Sequence, residues 1–266
     1  MSLTEAEILR YSRQIILPQV GGAGQERIRQ GRVLVVGAGG LGSPALLYLA
    51  AAGVGTVGVC DGDAVDPTNL QRQVIHATPD VGRLKVDSAA DALGRLNPGV
   101  EVVRHPVRLT AANAPGILAG YDVVVDGTDT FASKFLVNDA CVAAGVPYVF
   151  SGILGFEGQV LTVVPGRGPC YRCFFREPPP PGSVPTCAQA GILGPVAGAL
   201  GSLQALEVLK LLLGVGELLV GRLLLFDGLG LAFREVRIRQ DPRCPACGGP
   251  EHRRPLADEA DGACSG

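Results

Sequence analysis

A chain of 266 residues with 23 Lys+Arg against 25 Asp+Glu, a net charge of −2 and an apolar fraction of 47% has the composition of a globular protein with a sizeable core. That excludes a disulfide-stapled miniprotein, and the near-neutral charge gives no global attraction for nucleic acid or an anionic membrane. The 38 glycines and 20 prolines stay below the share that marks low complexity, and the first residues, MSLTEAEILRYSRQ, carry acids and no apolar stretch, so the expectation is a cytoplasmic protein without a signal peptide. In a reducing compartment eight cysteines call for metal ligation, chemistry or burial rather than disulfides.

The first half alternates β-rich runs with helical patterns. Residues 32–36, a helix over about 43–52 and a strand over 55–61 form a βαβ unit. A helix over 83–96 is stopped by Asn97-Pro98-Gly99 before a strand at 100–104. The form repeats with a strand at 121–126, a helix over 131–144 and a strand at 148–150. Continuous apolar strands between helices predict an α/β, doubly wound, Rossmann-like and mostly parallel sheet. After Ser151 the pattern changes: strands at 159–164, 223–227 and 233–239 predict an antiparallel extension, the last alternating Val236 and Ile238 with Arg237 and Arg239 like a half-exposed strand. The most hydrophobic stretch, 191–214, contains Gln204, Glu207, Lys210 and Pro195, which argues for a buried or dimer-facing helix instead of a membrane span. One domain over residues 1–250, with a frayed tail over 251–266, is the expected division.

Gly37-Ala38-Gly39-Gly40-Leu41-Gly42 supplies G-x-G-x-x-G directly after the first strand and opens a helix, with Asp61 following 24 residues after Gly37 at the end of the next strand. Glycines let the backbone approach phosphates, the helix N-terminus favours their charge, and the carboxylate accepts from ribose hydroxyls. The bland alternative is a glycine turn that packs a helix on a sheet. The continuation, Asp61-Gly62-Asp63 leading to Asn69-Leu70-Gln71-Arg72-Gln73 and then Lys85, is unlike a dehydrogenase. Lysine is scarce, since only Lys85, Lys134 and Lys210 occur among the 23 basic residues. Arg72 and Lys85 suit a triphosphate, unless both simply decorate a solvated helix face. Asp129, in Asp126-Gly127-Thr128-Asp129-Thr130 at the carboxyl end of a strand, is placed to bind magnesium beside phosphate; capping of the following helix by Asp129 or Thr130 is its structural alternative.

Cys170-Tyr171-Arg172-Cys173 and Cys244-Pro245-Ala246-Cys247 are two C-x-x-C knuckles, and two such turns make a closed four-cysteine zinc site of structural type; a redox dithiol is the competing reading. Cys187 follows Thr186 and precedes Gln189, a capping-box pattern that places its thiol in the first turn of a helix, where a thiolate is favoured; a packed or idle loop cysteine fits equally. Cys60, Cys141 and Cys264 read as structural or tail residues, and the scattered His76, His105 and His252 receive no role.

Arg10-Tyr11-Ser12-Arg13-Gln14, the turn from Gly37 to Gly42, Asn69-Leu70-Gln71-Arg72-Gln73, Thr128-Asp129 and the cysteine pairs together resemble the ThiF/MoeB family, bacterial relatives of ubiquitin-activating enzymes, over roughly residues 9–248. The resemblance implies ATP-dependent adenylation of the C-terminal glycine of a ubiquitin-fold sulfur-carrier protein ending in Gly-Gly, in the service of molybdopterin, thiamine or thiolated tRNA. It implies a homodimer in which Arg13 reaches the nucleotide of the partner subunit. Asn69, Arg72 and Lys85 would hold phosphates, Asp129 would bind magnesium and Cys187 would serve a thioester or acyl-persulfide step. With no rhodanese-like extension after Gly248, sulfur would come from a separate donor, a rhodanese or a cysteine desulfurase. Two other functions compete: an NAD(P)-dependent oxidoreductase, which leaves Arg72, Lys85 and the knuckles without a task, and a non-catalytic carrier-binding scaffold.

Overall fold

The computed structural model describes residues 3–180 and 190–259. Eight strands form a single sheet: β1 (Arg32–Val36), β2 (Thr56–Cys60), β3 (Glu101–His105), β4 (Val123–Asp126), β5 (Tyr148–Leu154), β6 (Glu157–Val163), β7 (Arg222–Asp227) and β8 (Ala232–Arg237). Their order is β3-β2-β1-β4-β5-β6-β7-β8. The first five strands are parallel, and β6, β7 and β8 add in antiparallel fashion, as the change of pattern after Ser151 predicts.

Why the parallel strands lack alternation is visible in their packing. Val33 and Val35 of β1 face one core, with Leu46 and Leu49 of helix α4 (Gly42–Ala52) and Val86 and Leu93 of α5 (Lys85–Leu96). Leu34 and Val36 face the other core, with Phe135 and Leu136 of α7 (Phe131–Ala144). A strand covered on both faces must be apolar at every position. Three helices precede the sheet, α1 (Glu5–Arg10), α2 (Ser12–Ile15) and α3 (Gly21–Gln30), and the short helices α6 (Ala114–Leu118) and α8 (Tyr171–Phe174) fill connections.

The apolar stretch near 191–214 forms α9 (Gly194–Leu213), which packs on β4, β5 and β6 and on α4. Gln204 and Glu207 are buried, and Lys210 is partly exposed. Gln204 Nε2 donates to the carbonyls of Asp126 (2.8 Å) and Val149 (2.9 Å), tying together two neighbouring strands. Glu207 accepts from the Thr162 hydroxyl at 2.5 Å and from Leu219 N–H at 2.8 Å, and pairs with Lys210. This helix is long and apolar enough to cross a membrane by length and hydropathy, yet it lies on a protein sheet and buries Gln204 and Glu207 within it.

One expectation needs correction. β8 is not half-exposed: all six residues are exposed, Phe233 and Val236 included, because β8 is the sheet edge while α9 covers β4, β5 and β6. The described part of the stretch from Glu251, residues 251–259, runs along the protein. Arg254 N–H donates to the Pro245 carbonyl (2.9 Å), Ala111 N–H to Asp258 (2.8 Å), Arg172 pairs with Glu259, and Leu256 packs on the second core.

Candidate functional site

The sheet reverses its winding between β1 and β4, so the connections leaving these adjacent strands diverge and open a crevice at their carboxyl ends. A cavity of about 240 Å³ lies there. Gly37, Gly39 and Gly40 form one wall, Asp61, Asp63 and Lys85 a second, and Thr128, Asp129 and Thr130 a third, with Arg72 at the turn.

The glycine turn tolerates no side chain at its ends. Gly37 has φ +92°, and a Cβ there would stand 2.7 Å from the Gly127 carbonyl oxygen. A Cβ on Gly42 would meet the Gly37 carbonyl at 1.8 Å, so this buried residue shapes the turn from behind and does not line the cavity. At Gly40 a Cβ would touch the Arg72 stem at 3.4 Å, which shows how closely that side chain lies over the turn.

Asp61 acts first on the protein itself. One oxygen accepts from Ala38 N–H and the other from Asp63 N–H, each at 2.8 Å. Burial raises its carboxyl above the ordinary value, while the Lys85 charge and the two N–H donors pull in the opposite direction. Lys85 is buried at the start of α5 and its Nζ is 3.0 Å from the exposed Asp63 carboxylate. Arg72 donates to the Thr68 carbonyl at 3.1 Å, which restrains the guanidinium beside the turn. Thr130 caps α7 by accepting from Ser133 N–H at 3.2 Å, so Asp129, exposed at the cavity rim, is not the cap.

Other predicted residues lie elsewhere. Asn69 closes the 3-10 turn Pro67–Asn69 and accepts from Arg72 N–H (3.1 Å) and Gln73 N–H (2.9 Å) through its carbonyl; neither it nor the exposed Gln71 lines the cavity. Arg13 is exposed on α2, away from this chain's own cavity. Cys187, with Thr186 and Gln189, and Cys264 lie outside the described residues.

Sequence reasoning missed Lys134. It is buried, and its ammonium donates to the Ser151 carbonyl (2.6 Å), to the Thr128 carbonyl (2.8 Å) and to the buried Asp126 carboxylate (3.4 Å). It thereby braces the loop that carries Asp129. Its signal was the same scarcity of lysine that singled out Lys85. Lys134→Met would leave Asp126 buried without its cation, so thermal melting is expected to show a loss of about 3 kcal/mol, roughly 6–12 °C. An unchanged melting temperature would mean that the pair has no structural weight.

Outside the cavity lining, the four knuckle cysteines converge in the second core. Their sulfurs all lie within 4.8 Å of one another, with Cys170 and Cys244 3.5 Å apart and Cys173 and Cys247 3.4 Å apart. Metal–sulfur bonds of about 2.3 Å in a tetrahedron put sulfurs about 3.8 Å apart, so four sulfurs at this spacing fit one metal ion. The Asp241 N–H points at the Cys173 sulfur at 3.4 Å, and hydrogen bonding within the cluster, from Cys170 first, lowers the Cys173 thiol below its ordinary value. Four thiols in one cluster suit a metal better than two separate redox pairs.

This geometry defines a Rossmann-like α/β protein with a nucleotide-type crevice at its switch point and a four-cysteine metal-type cluster. The chain belongs to the ThiF family, whose profile matches residues 11–246. It is 52% identical over 263 residues to the sulfur carrier protein adenylyltransferase of Thermus thermophilus, with 97% of each chain covered. Identity to the SAMP-activating enzyme E1 of Haloferax volcanii is 50% over 248 residues, covering 93% of this chain and 92% of that one. The mouse adenylyltransferase and sulfurtransferase MOCS3 is 52% identical over 93% of this chain, which spans only 54% of the mouse protein. Among solved structures, E. coli MccB crystallised with ATP superposes with a TM-score of 0.79 over 90% of this chain and 75% of that one; at 24% identity the likeness is one of fold.

Proposed function

We propose that this chain is an adenylyltransferase that uses ATP to activate the C-terminal glycine of a ubiquitin-fold sulfur-carrier protein ending in Gly-Gly. The supporting observation is that one crevice gathers Arg72, Lys85 and Asp129 from three separate stretches around a glycine turn, in a chain half identical to enzymes named for this activity. A terminal carboxylate, with a pKa of about 3.5, is ionised at pH 7 and needs no general base. Its oxygen attacks the α-phosphorus, a new C–O–P linkage forms, the bond to the β-phosphate oxygen breaks, and pyrophosphate leaves with the electron pair. An anion approaching a polyanion requires cations and fixed donors, so positioning and charge neutralisation carry the catalysis.

Arg72 and Lys85 hold phosphate oxygens in this reading, the glycine N–H groups take the rest, and Asp61 reaches the ribose. Asp129 holds magnesium, which supplies charge neutralisation at the phosphates when bound. Arg13, exposed and apart from its own crevice, serves the nucleotide of a second copy in a homodimer. Zinc occupies the Cys170, Cys173, Cys244 and Cys247 cluster as a structural ion, and the reducing cytoplasm suits such a cluster. A rhodanese or a cysteine desulfurase is the candidate sulfur donor, and molybdopterin, thiamine and thiolated tRNA are the candidate end uses.

Exchange of labelled pyrophosphate into ATP, measured with magnesium and a panel of Gly-Gly carriers, is expected to depend on a carrier. No exchange with any carrier would sink the proposal, and stabilisation by NAD but not by ATP would favour the oxidoreductase. A carrier that binds without exchange would favour the scaffold.

A further inference from the structure

His76 belongs to none of the motifs described above, yet both of its ring nitrogens are engaged. The side chain is buried, Nε2 lies 3.0 Å from the Ala38 carbonyl oxygen, and Nδ1 lies 2.8 Å from the Ser88 hydroxyl. A carbonyl only accepts, so Nε2 carries a proton, and in the neutral ring Nδ1 accepts from Ser88. Burial is the main influence on the ring and lowers its pKa below the ordinary value; Lys85 acts in the same direction, and Asp61 and Asp80, the latter paired with Arg83, act against it. The ring is therefore neutral near pH 7.

Ala38 is the centre of the glycine turn, and its peptide groups are held from behind. Its N–H goes to Asp61 at 2.8 Å and its carbonyl to His76. The next carbonyl, that of Gly39, accepts from Ser43 N–H (2.9 Å) and from the Ser43 hydroxyl (2.7 Å). In a trans peptide the N–H points opposite to the carbonyl of the same unit, and no cis peptide occurs here. Fixing the carbonyls of Ala38 and Gly39 therefore turns the N–H groups of Gly39 and Gly40 the other way, and both glycines line the cavity. Among the described residues these two N–H groups have no protein acceptor.

We propose that His76 is a positioning residue for nucleotide binding: its Nε2–H fastens the Ala38 carbonyl so that the Gly39 and Gly40 N–H groups stand ready as a cradle for a nucleotide phosphate. The identity of that anion rests on the adenylation reading. Preset donors need no reorganisation when the phosphate arrives, so losing the bond loosens the cradle before the nucleotide is bound.

Calorimetric ATP binding and pyrophosphate exchange on the full chain, comparing wild type with His76→Ala, His76→Asn and His76→Gln, test this. The glutamine amide nitrogen reaches the place of Nε2, whereas the asparagine amide reaches only that of Nδ1. The Kd for ATP is expected to rise about tenfold in the alanine and asparagine variants and by less than about threefold in the glutamine variant. KM for ATP should follow Kd, with kcat at saturating ATP changed by less than about threefold. Should alanine fail to fold, the asparagine and glutamine pair carries the comparison. Equal weakening in asparagine and glutamine, or wild-type affinity in all variants, overturns the proposal. A wild-type protein that binds ATP but exchanges no pyrophosphate fails the adenylation reading alone, and the Kd series still decides on His76. A wild-type protein with no affinity for ATP overturns both.

Discussion

Asp129→Ala is expected to lower carrier-dependent pyrophosphate exchange by at least about a hundredfold, some 2.7 kcal/mol of transition-state stabilisation, while the melting temperature stays within about 1 °C of wild type. The two halves of that expectation come from the same geometry. Asp129 is exposed at the cavity rim and Thr130, not Asp129, caps α7, so removing the carboxylate takes nothing from the fold. Among the described residues, the task left to it lies in the crevice, beside Lys85 and Arg72, where a carboxylate among cations is useful for holding magnesium against phosphate. Raising magnesium should recover part of the lost rate, because a weakened site fills by mass action. Near-normal exchange by this variant at ordinary magnesium would remove Asp129 from the machinery.

Disrupting the thiolate cluster should produce the largest loss of stability. Cys170 and Cys244 are separated by 74 positions, and a link that closes a loop of this length constrains the unfolded chain by about 4 kcal/mol in the chain-entropy picture. Cys244→Ser, or stripping the metal with a strong chelator, is expected to lower the melting temperature by roughly 10 °C, with loss of about one zinc per chain in metal analysis. The loss should be felt first near the cluster, where Arg254 and Pro245 are bonded and Leu256 packs. Freshly purified reduced protein without zinc, melting as the intact protein does, would refute the structural-metal reading.

What was legible in the sequence was legible for local reasons. Arg32–Val36, the glycine turn and α4 lie consecutively, so spacing alone described the βαβ unit. The helix over residues 131–144 was bounded by Thr130 as its cap and by Gly145, which takes φ +70° just past its end. The start of α1 carries a local signal of the same kind: Thr4 and Glu7 form a capping box, the pattern that Thr186 and Gln189 also match in sequence. The extent of β5 was not readable, because residues 151–154 become a strand by pairing with β6 and not by their own pattern. His76 was invisible for a different reason. Its partner Ala38 is 38 positions away and a single histidine carries no spacing. Lys134 acts through two backbone carbonyls, which no sequence motif records. Asn69 shows a different limit: its motif is recognisable in the sequence, but its backbone role in closing the 3-10 turn beside Arg72 is seen only in the fold.

The knuckle cysteines also carry a consequence for biosynthesis. The first pair is synthesised 70 residues before the second, an interval of about 4–14 s at 5–20 residues per second. During that interval Cys170 and Cys173 form half a site, and the intervening chain must deliver α9, β7 and β8 to the sheet before Cys244 and Cys247 come within reach. On the structural-metal reading, capture would therefore be a late event that reports on completed assembly of the sheet. On the structural-zinc reading, a nascent chain stalled before Cys244 would carry two open thiols, exposed to oxidation and to the wrong metal, and zinc supply would govern how many finished chains close the site.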